Sequence, residues 1–236
     1  MNEIDSIRTN SLDKFNLNNW RWQRFFDQTL ILLSKYKLQE YPIPQSCLER
    51  NSTLESSKNN FSAHTVTWAC STTKIRQARA ACLEASSGIS VLNFLISPLS
   101  DFNLPFFGAD FVTLPSGHLL ALDLQPVLKN DKSHTEDVWD QLIPLHQKWQ
   151  ALLPDGGLIP KEAKNFFSPG FLWTRLPLGI EGDQLIEDVI FPAYSEYFYL
   201  YITLLDKAEK VSLEKRNKLF TGQRMYMNYR ARKDPA

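Results

Sequence analysis

FFGADFVTLPSGHLLALDLQPV, residues 106–127, is the stretch on which the fold is read. Two runs rich in apolar and strand-forming residues, 106–115 and 118–127, are separated only by the turn around Pro115, Ser116 and Gly117. A connection that short joins neighbouring antiparallel strands, because a parallel pair needs a crossover of a dozen residues or more. Upstream, FSAHTVTWAC (61–70), KIRQARAACLEA (74–85) and ISVLNFLISP (89–98) follow the same texture, with Pro98, Pro105 and Pro126 among the residues that bound the runs. The spacing predicts five strands in an antiparallel meander. In 106–115, strand alternation puts Phe106, Gly108, Asp110, Val112 and Leu114 on one face, which leaves Asp110 as a carboxylate in an apolar row. In 89–98, Asn93 shares a face with Ile89, Val91 and Leu95.

Helical periodicity flanks these strands. From Asn19 to about Lys37, the residues Trp22, Phe25, Phe26, Leu30 and Leu33, with Thr29 among them, form one helical face, and Asn18 or Asn19 is available as an N-cap. The polar stretch 51–60 reads as a surface loop. After Asn130 a helix is expected from the SHTED run (133–137), then a turn at residues 154–157, a strand-like piece at 165–177 and a long helical region from about Gln184 to Lys218. The order implies an α+β domain with helices on both faces of one antiparallel sheet, and 236 residues fit a single domain.

Composition narrows the function. Lys plus Arg and Asp plus Glu each total 26, so the zero net charge gives no general attraction to nucleic acid or membrane. No apolar run approaches the ~20 residues of a membrane span, and the first residues have neither an apolar core nor a transit-peptide character, so a cytoplasmic location is expected. The 12% aromatic share suits an aromatic core or the lining of a large pocket for a flat ligand. Cys47, Cys70 and Cys82 contain no CxxC and cannot supply four thiolates to an iron–sulfur cluster; Cys70 and Cys82 are expected to be buried. None of the nine glycines forms a dinucleotide or nucleotide phosphate loop. His64, His118, His134 and His146 lack metal-ligand spacing, so surface or structural roles are expected for them. What remains is Asp110 and Asn93, polar groups on apolar strand faces. Each could be a hydrogen-bonded structural group, and Asp110 could instead be an unpaired buried acid kept protonated as a proton donor.

Four motifs in order carry a family resemblance. FFGADFVTLPSGHLLALDLQPV is similar to the central G-x-D and D-L-Q-P strands of the ferredoxin-dependent bilin reductases; VLNFLISP, NFFSPGFLWTRLP and YRARKDPA resemble further elements of that family. The resemblance implies a three-layer α/β/α sandwich holding a linear tetrapyrrole between the sheet and the C-terminal helices, with no bound cofactor and electrons arriving singly from reduced ferredoxin. It implies Asp110 and Asp234 as the carboxylates that protonate the bilin, and Arg175 as the partner of a bilin propionate. Asn93 points toward the phycoerythrobilin branch, and a structural role is expected for Asp123. Glu84, nine residues before Asn93, stands where that branch has Asp. If catalytic, its acid would be displaced by ~1.5 Å, a shift of the size that costs about 10²-fold in rate.

The chain ends at Asp234-Pro235-Ala236 where relatives continue into a further helix, so a shortened end or an early-ending branch is implied. The expected reaction is two-electron reduction of biliverdin IXα to 15,16-dihydrobiliverdin. The alternatives are reduction of 15,16-dihydrobiliverdin to phycoerythrobilin, or a non-catalytic bilin carrier. Expected partners are ferredoxin, the bilin and the next bilin reductase, which would receive the product. A ferredoxin-facing basic patch is expected from Lys207, Lys210, Lys215, Arg216 and Lys218, with Arg224, Arg230, Arg232 and Lys233 beyond it; a solvated helix face accounts for the first group equally well.

Overall fold

The five predicted strands form the centre of one antiparallel sheet: β3 (Asn60–Ser71), β4 (Ile75–Ala85), β5 (Ser90–Pro98), β6 (Phe106–Leu114) and β7 (Gly117–Gln125), each paired with the next. The chain is seen in a computed structural model that describes residues 20–55, 60–159 and 161–233. β8 (Leu172–Leu176) pairs with β7 at one edge, and β1 (Gln39–Glu40) and β2 (Glu49–Glu55) both pair with β3 at the other. The tight β6–β7 connection depends on Gly117, whose φ of 135° suits glycine and where a Cβ would lie 2.6 Å from the Leu176 carbonyl oxygen.

One sheet face is apolar. Leu92, Phe94, Ile96, Phe107, Ala109, Phe111, Leu120, Leu122 and Leu124 are buried there by strand alternation. Helices α1 (Gln23–Leu33) and α5 (Phe191–Lys207) cover it; α2 (Gln45–Leu48), α3 (Lys132–Gln150) and α4 (Ile180–Leu185) lie between them in the chain. The predicted face of α1 is the one buried, through Phe25, Phe26, Thr29, Leu30 and Leu33. Asn18 and Asn19 lie outside the described residues, and Trp22 occupies the N-cap position without a side-chain capping bond. Between α4 and α5 the helix widens into one π turn, Ile186–Ile190. The opposite sheet face is covered by α6 (Leu213–Lys233), which packs Tyr226 against Phe106 and Leu95. The expected three-layer α/β/α arrangement is present.

Three local expectations are corrected. Residues 49–55, part of which was read as loop, form the edge strand β2; an edge strand need not be apolar, so polarity hid it. Of 165–177 only 172–176 is strand, because 166–171 leaves the sheet and folds over its face. The helical region 184–218 is two helices broken at residues 208–212, where the Val211 amide bonds the Asp101 carbonyl and Lys210 bridges Phe102. Lys74 ends α5 by donating to the carbonyls of Leu205, Asp206 and Ala208 at 2.8, 3.1 and 2.8 Å, a use of lysine that satisfies the last orphan acceptors.

Helix α3 starts with Asp131, which accepts from the Ser133 amide at 3.0 Å. Behind this cap, buried His134 accepts from the Val127 amide (3.2 Å) and bonds the Asn103 side chain (2.7 Å). Burial pushes its pKa down to about 4. The unfolded chain therefore binds this proton more readily, so the contribution of neutral His134 is full above pH ~6.5 and is lost as pH falls toward 4, on the order of 3 kcal/mol in all. His134→Gln is expected to remove that acid sensitivity. Urea midpoints at pH 4.5 and 7 check it, and identical pH profiles for variant and wild type would exclude His134 as the titrating group.

Candidate active site

Sheet register places Ala81, Asn93, Asp110, Ala121 and Trp173 in one row across β4 to β8, on the face away from α1 and α5. The alanines leave a low floor, and α6 with Leu158, Ile159 and the 163–171 segment forms the roof. Two adjoining cavities of about 350 and 390 Å³ result. Both are lined by Asp110, Val112, Phe167 and Tyr229. Ring stacks build the walls: Phe166 on Tyr229 at 4.4 Å, Phe167 on Phe171 at 3.9 Å, and Phe171 nearly parallel to Trp173 at 6.2 Å between centroids. Flat aromatic walls over a largely apolar floor with a polar pair, Asn93 and Asp110, at its centre suit a planar conjugated ligand.

Of the two readings the sequence left open for Asp110, the structure supports the hydrogen-bonded group over the unpaired buried acid, since the side chain is both paired and partly exposed. Asn93 Nδ2 donates to its Oδ1, Arg79 Nη2 donates to Asn93 Oδ1 at 3.2 Å, and Arg230 Nη2 lies 3.8 Å from its Oδ2. Its side chain is 46% exposed, toward the cavities, whereas that of Arg230 is 13% exposed. A carboxylate held on one side by an amide, with a guanidinium opposite, has a fixed orientation, and its exposed edge faces the cavities.

The other motif residues hold the roof to the sheet. Gly108 leaves room for Gln125, since a Cβ there would sit 3.0 Å from Gln125 Oε1. That oxygen accepts from the Tyr226 hydroxyl of α6, and burial pushes the Tyr226 pKa up to about 12, so it stays protonated as the donor. Asp123, on the same sheet face, is fully buried and accepts from both the amide (2.9 Å) and hydroxyl of Ser168. Burial raises its pKa to about 7, with the Ser168 bonds pulling the other way.

Of the sequence-predicted site residues, the structure brings Asp110 and Asn93 together. It puts Arg175 on the same face beyond Trp173, exposed at the rim with its guanidinium 5.7 Å from the Trp173 ring centre. Glu84 is a correction: β4 alternation turns it to the opposite face, into a separate cavity of about 410 Å³ with Arg21, Ser90, Asp183 and Glu187. Asp234 lies outside the described residues. The basic patch is also revised, since Lys215 pairs with Asp131 (2.8 Å), Arg216 with Asp101 (3.4 Å) and Lys218 with Glu214 (2.7 Å), while Arg230 belongs to the cavity. Lys207, Lys210, Arg224 and Arg232 remain exposed.

Sequence reading missed the roof: Phe166, Phe167, Phe171, Tyr226, Tyr229 and the cavity role of Arg230. The available signal was the spacing of Tyr226, Tyr229 and Arg230, three and four apart and so on one face of a helix.

Comparison with known proteins agrees with this architecture. The family model of the ferredoxin-dependent bilin reductases matches residues 27–236. A phycoerythrobilin:ferredoxin oxidoreductase of Prochlorococcus marinus (strain MIT 9211) is 56% identical over 229 residues, covering 97% of this chain and 89% of that protein. The protein of the same name from Synechococcus sp. (strain RCC307) is 52% identical, covering 97% and 87%. The crystal structure of tomato phytochromobilin synthase in complex with biliverdin superposes with a TM-score of 0.77 at 27% identity, covering 91% of this chain and 74% of that one. With a family model spanning most of its length and relatives above 50% identity, this chain belongs to the ferredoxin-dependent bilin reductases.

Proposed function

We propose that this enzyme reduces 15,16-dihydrobiliverdin to phycoerythrobilin, taking two electrons one at a time from ferredoxin and two protons from carboxyl groups at the cavity. The observation that carries the proposal is Asp110 at the centre of an aromatic-walled cavity, aimed by Asn93 and faced by Arg230. The bilin lies along the Ala81–Trp173 row, with its pyrrole rings against Phe167 and Tyr229. Each electron raises the basicity of the tetrapyrrole, and Asp110 delivers a proton to the radical so formed. Asp110 is then reprotonated from solvent, which its exposed side chain allows. The second proton is assigned to Asp234 by the family resemblance. The arginines offer charge-assisted bonds to the propionates, Arg175 from the rim and Arg230 from α6.

The strand and turn motifs favoured biliverdin as the substrate; the names borne by the relatives above 50% identity weigh for the later step. Anaerobic incubation with reduced ferredoxin and each bilin in turn separates the two. The expected result is conversion of 15,16-dihydrobiliverdin to phycoerythrobilin, with biliverdin bound and unreduced. Conversion of biliverdin to 15,16-dihydrobiliverdin would establish the earlier step instead. Binding of both with no ferredoxin-dependent spectral change would establish a carrier.

A further inference from the structure

We infer that Asp123 and Ser168 form a clamp that positions the aromatic wall of the bilin cavity, so that these two residues, which lie outside both cavity linings, set the affinity for the substrate. This inference rests on the proposed function and concerns a different part of the site from the acid at its centre.

Among its described residues, the segment between α3 and β8 has one helical turn, the 3₁₀ turn at Ala163–Asn165, and otherwise little regular structure. Yet it supplies three rings, Phe166, Phe167 and Phe171, to the cavity walls. Rings presented from a loop keep a fixed attitude only if the backbone between them is held. Ser168 lies between those rings, and both of its donors end on one carboxylate: its amide on Asp123 Oδ2 at 2.9 Å and its hydroxyl on Asp123 Oδ1. Ser168 Oγ in turn accepts from the Gly170 amide at 2.9 Å, closing a tight turn that carries Phe171 back toward Phe167. Three further bonds, from two side chains, hold the same loop. Lys129 donates to the carbonyls of Lys164 and Phe167 at 2.5 and 2.7 Å, and Tyr197 donates to that of Gly170 at 2.9 Å.

A carboxylate buried to this degree is costly unless its oxygens are satisfied. Asp123 is 1% exposed, and Ser168 satisfies both oxygens at once. The arrangement also explains the D-L-Q-P strand. Asp123 and Gln125 project from the same face of β7, one fastening the loop and the other fastening α6 through Tyr226. Asp123 is thus a positioning residue that acts through Ser168 on the rings, with no part in proton delivery.

The test uses the full chain with Ser168→Ala and Ser168→Thr, measuring Kd for 15,16-dihydrobiliverdin and for biliverdin, the KM and kcat of ferredoxin-dependent turnover, and Tm. Ser168→Ala loses the hydroxyl bond, and Kd and KM are expected to rise about tenfold, the scale of one charge-assisted hydrogen bond, with kcat within about twofold of wild type. The bound bilin's visible band should broaden as the wall loosens. Ser168→Thr keeps the hydroxyl and is expected to restore wild-type values. Unchanged Kd in Ser168→Ala, a fall confined to kcat, or no rescue by Thr would overturn the clamp. Absence of bilin binding by the wild-type protein would instead overturn the proposed function.

Discussion

Asp110→Asn is expected to bind the bilin as wild type does, accept the first electron, and then stall as a long-lived radical. The substitution keeps the size of the side chain and leaves an oxygen to accept from Asn93, so the row across the sheet stays intact. Stacking on the aromatic walls and the Arg175 propionate contact do not pass through the Asp110 carboxyl, so most of the affinity is kept. What is lost is the transferable proton. Positioned general acids contribute about 10²–10⁴-fold, so product formation should fall within that range. Stopped-flow absorbance would show the radical's band persisting, and electron paramagnetic resonance would count its unpaired spins. The structure adds a control: Arg230 faces the same carboxylate, so Arg230→Met should weaken bilin binding without prolonging the radical to the same degree. Turnover of Asp110→Asn at the wild-type rate would make Asp110 a structural residue and move proton delivery to Asp234.

The sheet was legible because strand periodicity and turn chemistry are local. The runs at 61–70, 74–85, 89–98 and 106–115 each fall within a residue or two of the strands found, while the last, read as 118–127, ends at Gln125. Alternation alone put Asp110 and Asn93 on faces with apolar neighbours. That they face each other depends on the β5–β6 register, set by the residues 99–105 between the strands, and register is a tertiary property. Glu84 shows the converse. Its count from Asn93 gave no face, and β4 alternation, tied to the core through Ala78, Ala80 and Cys82, turns it away from the site. The roof was least legible. α6 is polar along most of its length, so its cavity face at Tyr226, Tyr229 and Arg230 is too narrow to stand out as a periodic apolar stripe. The loop that carries Phe166, Phe167 and Phe171 takes its shape from Asp123, more than forty residues away in sequence. The break between α5 and α6 is likewise made by Asp101, Phe102 and Lys74, far from it in the chain.

Trp22→Ala, at the N-cap of α1, is expected to cost more stability than any single side-chain truncation within that helix. Trp22 is completely buried where α1 meets the sheet. Its ring lies against Phe25 (5.6 Å), Phe111 of β6 (5.4 Å) and His118 of β7 (6.3 Å), and its Nε1 donates to the Ser90 carbonyl at the start of β5 at 3.1 Å. One side chain therefore ties α1 to three consecutive strands. Truncating a large buried aromatic residue costs about 3–5 kcal/mol, and in a domain of this size each kcal/mol lowers Tm by about 2–4 °C. The expected fall is roughly 6–20 °C. His118 sharpens the expectation, because its ring is buried with Nδ1 on the Thr113 hydroxyl, and loss of Trp22 opens a cavity beside it into which water could bring competing bonds. The damage sits on the face of β6 opposite Asp110, since Phe111 and Asp110 are consecutive in that strand. Folded Trp22→Ala should therefore keep its bilin site. Bilin at about 100 times Kd should restore about 2.7 kcal/mol by mass action, seen as a rise in Tm of several degrees. Calorimetry with and without bilin decides the matter. A Tm within about 3 °C of wild type would show that α1 docks without Trp22. A large loss with no recovery on adding bilin would show that the two faces of β6 fail together.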